Sequence, residues 1–368
     1  MNNRPALRDI ALFDLLLRPK SHKKLSTSCG EMASPIDQEA IISSLDQTVN
    51  NLYRAAETGR NAAPNIDRVF MIACGSGYHA MKGIQYWADQ IAINTDVRAF
   101  ISSDFTAMKP PKLNERTLVL LASKSGKTPE TLEASDYVRA KSFKTIVFTQ
   151  SDASPLATQG DVVFSSGDTT ETFLANFMLM QTVVAAVLAQ KEEWPYLPKL
   201  LSSFRALPNA FAAAALKNEH RATQDAALYK DDHQIYFVAA GPEETTAFVF
   251  GTCILTEMLN IHAPPVKASE FFHGTLEIVT PQIPLVLILG TDCSRPLMER
   301  VKDFCETHGN RLMIYDANDY SMDGIDPEIQ PMVAPYLIQS ALKRFSLHLS
   351  RSKGRALTDR NYMGKHSY

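Results

Sequence analysis

Short apolar runs alternate with stretches of helical spacing through the first half of the chain. Five runs have strand length, and they lie at residues 69–74, 96–103, 115–123, 144–150 and 161–166. Amphipathic stretches with helical spacing follow the first and third runs, at residues 78–92 and 129–141. Strands that alternate with helices predict a parallel α/β sheet covered on both faces.

The same pattern returns in the second half. The run QIYFVAAG at residues 234–241 resembles RVFMIACG at residues 68–75, which lies 166 residues earlier. The run IPLVLILG at residues 283–290 resembles RTLVLLAS at residues 116–123, at an offset of 167 residues. Two similar offsets from separate strands predict a duplicated α/β domain.

This duplication sets the expected domain organisation. A basic, serine-rich stretch precedes Met32, so we expect residues 1–31 to be a disordered extension or a misassigned start. The remaining units are a first domain with an N-terminal helix at residues 32–200, a helical linker at 201–232, a second domain at 233–345 and a C-terminal tail at 346–368.

Two loops at strand ends of the first half carry hydroxyls and glycines. Ligands bind at the carboxyl ends of parallel strands, where glycine permits close approach and a following helix directs N–H groups at an anion. The sequence therefore predicts a phosphate site, with these candidate binding residues: Gly75, Ser76, Ser123, Lys124, Ser125 and Thr128. The alternative is that the serines and threonines only cap helices.

The Gly-Lys-Thr of residues 126–128 does not make a nucleotide site. A Walker loop needs a glycine five residues before Gly126, and Leu121 stands there. The Gly-Ser-Gly of residues 75–77, followed by Ala80, is only a weak dinucleotide pattern.

The loops of the second half differ in charge. Glu243, Glu244 and Asp292 stand where they would repel an anion. We therefore place a single phosphate site in the first half and expect the second half to act mainly as a scaffold.

Two ionisable side chains of the second half could transfer protons. Glu257 lies late in an apolar helical stretch, and His273 lies within EFFHG. A carboxylate and an imidazole near a sugar phosphate can act as general base and acid near neutral pH. From the pattern alone, Glu257 could equally face solvent, and a lone histidine is more often structural.

Composition narrows the classes of partner. The net charge of −3 does not favour nucleic-acid binding. We expect no apolar stretch to be long enough to span a bilayer. The five cysteines are widely spaced and form no CxxC motif, which argues against a disulfide framework and a cysteine-based zinc site. We expect a cytoplasmic protein with no nucleic-acid or membrane partner.

Three motifs together resemble the sugar isomerase (SIS) domain family, and a fourth resembles its deglycase members. The three are CGSGYHA at residues 74–80, ASKSGKTPET at 122–131 and the pair Glu257 and His273, and the fourth is the tail LTDRNYMGKHSY at 357–368. The resemblance runs from about Ile36 to the C-terminus. It implies two tandem SIS domains, each a parallel five-stranded sheet flanked by helices in a flavodoxin-like three-layer sandwich.

Within this family the chain is similar to the isomerase half of glucosamine-6-phosphate synthase and to fructosamine-6-phosphate deglycases. The resemblance implies that Glu257 is the isomerising base, that His273 opens the sugar ring and that Lys365 of the tail contacts the substrate. It implies no metal and no cofactor. It also implies at least a homodimer, with an active site completed by the partner's histidine.

The implied reaction cleaves a 6-phosphofructosyl amine, the Amadori product of an amino acid, to glucose 6-phosphate and the free amino acid. The synthase's glutaminase half does not occur in the sequence, so we expect no ammonia donation from glutamine. A glucosamine-6-phosphate deaminase, an aldose/ketose phosphate isomerase and a non-catalytic sugar-phosphate sensor are alternatives. Lys124 and Lys127 replace a glutamine and a glutamate of the synthase, which leaves the released amine open.

Overall fold

Two parallel sheets, one in each half of the chain, organise the fold. The computed structural model describes residues 36–141 and 143–366, so the predicted extension at residues 1–31 lies outside the described residues. The described residues belong to one compact unit.

The first half folds, as predicted, into a five-stranded parallel sheet flanked by helices. Its strands are β1 (Arg68–Ala73), β2 (Asp96–Ile101), β3 (Thr117–Ala122), β4 (Thr145–Thr149) and β5 (Val162–Ser165). Its helices are α1 (Gln38–Ser43), α2 (Asp46–Ala62), α3 (Gly75–Ala88), α4 (Ser102–Met108), α5 (Pro129–Arg139) and α6 (Thr172–Lys191). The order β2-β1-β3-β4-β5 is the flavodoxin-like order.

The second half builds a smaller parallel sheet in the order β7-β6-β8-β9. Its strands are β6 (Tyr236–Ala239), β7 (Pro265–Lys267), β8 (Pro284–Leu289) and β9 (Arg311–Asp316). Its helices are α7 (Leu197–Tyr229), α8 (Glu244–Phe248), a π-helix (Val249–Thr256), α9 (Glu257–Leu259), α10 (Ala268–Phe271), α11 (Arg295–His308) and α12 (Gln330–Ser352). This order repeats that of β2, β1, β3 and β4, in agreement with the duplicated pattern.

The prediction of five strands in the second half was wrong, because only four strands form there among the described residues. After β9 the chain runs through residues 317–329, which contain three aspartates, a glycine and a proline but no apolar run of strand length. Such a composition favours turns over strands. The segment leads directly to α12, which packs along α7 instead of extending the sheet.

Helix α6 corrects the expectation that no apolar stretch has membrane-spanning length. Its 20 residues are long and apolar enough to cross a bilayer. The helix is instead buried in the protein core, with every residue from Leu174 to Leu188 buried. It packs against α2, where a Cβ on Gly59 would clash with the Val183 carbonyl oxygen. Burial on all sides accounts for a helix that is apolar on all sides.

A continuous apolar core joins the two halves. Helix α7 runs unbroken from Leu197 to Tyr229 and packs along α12, which brings the end of the chain back against the linker. The boundaries expected at 200/201 and 345/346 fall inside these two helices, and the domain limits stay predictions.

Candidate functional site

The two hydroxyl-bearing loops of the first half start side by side. Strands β1 and β3 are parallel neighbours, with Ala73 opposite Ala122. The connection after β1 leads to β2 on one side of this pair, and the connection after β3 leads to β4 on the other side. The carboxyl ends of β1 and β3 are therefore the switch point at which ligands bind. Helices α3 and α5 begin there at Gly75 and Pro129, and their first turns present free N–H groups.

Hydroxyls of the loop after β3 hold its shape. The Ser123 Oγ lies 2.9 Å from the Thr128 Oγ1 and accepts a hydrogen bond from the Gly126 N–H at 3.1 Å. Gly126 has a φ of +61°, and a Cβ there would clash with the Ser154 hydroxyl. Glycine is therefore required at this position by both backbone conformation and space.

The alternative of simple helix capping does not account for these hydroxyls. Thr128 is the N-cap residue of α5, yet its side chain makes no capping hydrogen bond and faces Ser123 instead. The Thr131 and Leu132 N–H groups donate to the Thr128 carbonyl, so in the first turn of α5 the Glu130 N–H keeps its capacity to bind an anion.

The other predicted binding residues lie open to solvent at the same edge. Gly75, Lys124 and Ser125 are exposed, and Ser76 is partly buried. The Ser125 hydroxyl accepts from the Lys127 N–H at 3.2 Å. These hydroxyls, N–H groups and ammonium groups together suit a phosphate monoester.

Glu257 lies where the π-helix returns to α-helical geometry. Such widened turns are rare and occur frequently at functional sites. Gly251 permits the local packing, because a Cβ there would clash with the Ala263 carbonyl oxygen. The Glu257 side chain is 25% exposed, and its Oε1 lies 2.7 Å from the Arg360 Nε.

The π-helix packs against α3, the helix that begins at the phosphate loop. Cys253 lies one turn before Glu257, and its thiol is influenced by both the Ser76 backbone amide and the Glu257 carboxylate. Burial is the main cause that raises the pKa of the Cys253 thiol to about 12, so the thiol is protonated at neutral pH. The partly buried Cys253 therefore belongs to the contact that joins the π-helix to the helix of the phosphate loop.

His273 lies far from Glu257 within one chain. Glu257 is near the amino ends of β6 and β7, where His262 pairs with Gln234. His273 follows the carboxyl end of β7. Glu257 therefore precedes this sheet at one end, and His273 follows it at the other. Among the described residues the exposed His273 side chain has no hydrogen-bond partner.

The C-terminal tail lies over the end of α9. After α12 the chain turns at Gly354, which has a φ of +61°. The Arg355 guanidinium then donates to the Met258 carbonyl and lies 3.4 Å from the Asn260 side chain. Arginine commonly satisfies the last carbonyls of a helix in this way.

Arg360 is the tail residue that reaches Glu257, and the sequence analysis missed it. Lys365 is the tail residue predicted to contact the substrate. Its ammonium donates a hydrogen bond to the Arg360 carbonyl. Arg360 was present in the quoted LTDR motif, but nothing in the local sequence shows that a residue about a hundred positions away is its partner.

The corresponding edge of the second sheet is filled by the chain's own carboxylates. Asp292 accepts from the Ser294 N–H at 3.1 Å, from the Ser294 hydroxyl at 2.8 Å and from the Tyr86 hydroxyl at 2.9 Å. A Cβ on Gly241 would clash with Asp292 and Ser294. Glu243 is fully buried, and burial together with Asp292 raises its pKa well above the usual range. The carboxylates that occupy these loops therefore exclude an external anion.

A mainly apolar cleft lies apart from the phosphate loops, between α3, α6 and α12. Its lining includes Trp87, Phe177, Pro242, Asp292 and Tyr336, but not Ser76, Ser123 or Glu257. In residues 36–141 and 143–366, no group of three or more His, Cys, Asp or Glu side chains could hold a metal ion.

His79, in the second turn of α3, lies at the contact between the two halves. Its ring stacks on Phe248 with centroids 3.3 Å apart, and its carbonyl accepts from the Thr245 hydroxyl at 2.7 Å. Burial, and then the charges of Lys82 and Lys267, lower the pKa of His79 to about 4. The imidazole is therefore neutral at physiological pH.

Comparison with known proteins identifies related chains. The SIS domain model matches residues 65–190, a range that contains both hydroxyl-bearing loops. An agropine synthesis conjugase of Rhizobium rhizogenes is 34% identical, over 97% of this chain and 98% of its own length. A fructosamine deglycase of Bacillus subtilis is 30% identical, over 82% of this chain and 93% of its own length.

The fold is also similar to solved structures. A crystal structure of a candidate phosphosugar isomerase from Bacillus subtilis superposes with a TM-score of 0.79 at 29% identity. The similarity covers 86% of this chain and 100% of that one. These findings confirm the resemblance that the four motifs indicated.

The neutral state of His79 predicts a pH-dependent stability. In the unfolded chain its pKa is about 6.5, so the unfolded state binds a proton first as the pH falls. The stabilisation is complete above about pH 6.5 and is lost between pH 6.5 and 4. We expect a loss on the order of 1–2 kcal/mol, after allowance for the ring's partial exposure.

Urea denaturation of the wild type and of His79→Phe, which keeps an aromatic ring, measures this loss. Between pH 7 and pH 4.5 the midpoint of the variant should fall less than that of the wild type. Equal falls for both proteins would show that His79 is not the group responsible.

Proposed function

Because the chain belongs to the SIS domain family of phosphosugar isomerases and deglycases, we propose that it cleaves a 6-phosphofructosyl amine. The products are glucose 6-phosphate and a free amino acid. The observation that carries this proposal is the packing of the π-helix, which ends at Glu257, against α3, which begins at the phosphate loop. The chain covers 93% of the relative named fructosamine deglycase, which supports the same general chemistry.

The second half, in this proposal, is a second SIS domain that has lost its own anion site. Its four strands repeat the order of the first sheet. Asp292 occupies the position where an anion would lie, held by the Ser294 N–H and two hydroxyls. The family model matches only the first half, as expected if the second copy has diverged.

Substrate binding begins at the two hydroxyl-bearing loops. The N–H groups at the start of α3 and α5, with the hydroxyls of Ser76, Ser123, Ser125 and Thr128, would hold the phosphate on C6 of the sugar. The Lys124 ammonium would add one positive charge. These contacts fix the sugar with its other end directed toward Glu257.

His273 would open the furanose ring by proton transfer to the ring oxygen. Within one chain His273 and Glu257 lie at opposite ends of the second sheet, so the histidine of a partner subunit would complete the site. We therefore propose a homodimer with shared active sites. A two-fold dimer places each subunit's His273 at the other's site by the same contact.

Glu257 would then move a proton between two carbons. In the open-chain substrate it takes a proton from C1, the C–H electrons form a C1=C2 double bond, and the C2 carbonyl oxygen takes up a proton from water, which gives a 1,2-enaminol. It returns a proton to C2, which leaves a C1=N imine. Water adds to this imine and the amine leaves with the C–N electron pair, so that C1 becomes the aldehyde of glucose 6-phosphate.

The same steps in reverse would join an amine to a sugar, and this is the second candidate function. A relative named a conjugase matches nearly the whole chain at 34% identity, which favours this direction as much as the deglycase name favours cleavage. Glucose 6-phosphate incubated with excess amino acid should yield a 6-phosphofructosyl amine if synthesis occurs.

Substrate profiling separates the remaining alternatives. Release of ammonia from glucosamine 6-phosphate would point to a deaminase, and interconversion of free aldose and ketose phosphates to an isomerase. Ligand binding without any turnover would point to a sensor.

The described cysteines Cys74, Cys253, Cys293 and Cys305 are free, which supports the proposal of a reducing, cytoplasmic location.

The phosphate loops predict a strong requirement for the 6-phosphate. We expect kcat/KM to be at least about 1,000-fold lower for an unphosphorylated fructosyl amino acid, because several charge-assisted hydrogen bonds are lost. A coupled glucose 6-phosphate assay, or a glucose assay for the unphosphorylated compound, measures both rates. Comparable rates would contradict a phosphate role for these loops.

A shared active site predicts complementation between two inactive variants. Glu257→Gln and His273→Ala should each lower kcat by about 100-fold or more. Co-expressed, they form heterodimers with one intact site, which restores up to about a quarter of wild-type activity. Glu328→Gln, on an exposed carboxylate just before α12, is the control and should keep full activity. No recovery in verified heterodimers would contradict the shared site.

A further inference from the structure

The tail places a partly buried guanidinium beside the carboxylate assigned as the base. The Arg360 Nε lies 2.7 Å from the Glu257 Oε1, and the two side chains are only 21% and 25% exposed. The Arg360 Nη1 donates to the carbonyls of Leu357 and Asp359 at 3.2 and 2.8 Å. Among the described residues the Nη2 has no acceptor. This nitrogen can still bind an anion.

The groups of the site follow one another in a fixed order. Helix α3 begins at the phosphate loop, the π-helix that packs against α3 ends at Glu257, and Glu257 pairs with Arg360. A 6-phosphofructosyl amino acid has the same order: a phosphate on C6, the reacting carbons C2 and C1, the amine and then a carboxylate. With the phosphate in its loop and C1 at Glu257, the amine substituent extends toward Arg360.

We infer that Arg360 binds the carboxylate of the substrate's amino-acid portion, and that this binding releases Glu257 from its ion pair. The inference rests on the proposed deglycase reaction. Guanidinium binds a carboxylate through two parallel N–H groups. Because the Nη1 is bonded to the tail, the available pair is Nε and Nη2, so the substrate carboxylate competes with Glu257 for the Nε. A bound carboxylate thereby frees the base.

The other cations near the site have different partners. The Lys365 ammonium donates to the Arg360 carbonyl, and the Arg355 guanidinium donates to the Met258 carbonyl. Lys124 is exposed within the phosphate loop. Among the described residues, the only cation paired with Glu257 is Arg360. Selectivity for amines that carry a carboxylate therefore depends on this residue.

Two substrates that differ only in the carboxylate test the inference. They are 6-phosphofructosyl-alanine and 6-phosphofructosyl-ethylamine, with glucose 6-phosphate release as the measurement. The wild type should prefer the alanine conjugate. Arg360→Met should lower kcat/KM for that conjugate by about 10- to 100-fold and change it less than about threefold for the ethylamine conjugate. The preference then disappears.

Two further variants complete the test. Arg360→Lys keeps the charge but not the paired N–H groups, so it should restore part of the preference. Arg351→Met removes an exposed guanidinium at the end of α12, outside the site, and should leave both rates unchanged.

The outcomes distinguish failure of the inference from failure of the proposed function. An equal loss on both conjugates in Arg360→Met would overturn the inference, because Arg360 would then serve only to position Glu257. Equal wild-type rates on both conjugates would also overturn it and would leave the deglycase function intact. A wild type that releases no glucose 6-phosphate from either conjugate would overturn the proposed function itself.

Discussion

The packing of the π-helix against α3 is the contact on which the proposed site depends. Taken alone, the loops at the ends of β1 and β3 form only an anion site, and Glu257 is only a carboxylate at the end of a helix. The π-helix ends at Glu257 and packs against α3, which begins at the loop that contains Ser76. Phosphate binding and proton transfer thereby become parts of one surface, built from both halves of the chain.

Much of the first half was readable from the sequence, because buried parallel strands are continuous apolar runs and their loops are marked by glycine. The repeat offset also identified β6 and β8. The three residues of β7, Pro265–Lys267, are mostly polar or exposed, so no pattern distinguishes them. The error about the fifth strand of the second half has the opposite cause. The duplication suggested such a strand, but the residues after β9 do not favour one.

The site was predictable in its residue types but not in its geometry. The loops and Glu257 were identified, yet a π-helix keeps the apolar composition of an ordinary helix, so the widened turns before Glu257 have no clear signal. Arg360 illustrates the same limit, because its partner lies about a hundred residues away. The position of His273 at the far end of the second sheet also needed the topology of β6 and β7.

The account's central claim is that a proton leaves C1 of the substrate, and substrate carrying two deuterium atoms on C1 tests it most directly. NMR of the released sugar phosphate reports where the label lies. The account predicts glucose 6-phosphate with one deuterium at C1, the other having moved to C2 or exchanged with water. A product that keeps both deuterium atoms on C1 would contradict it, because the C–N bond would then have broken without an enaminol.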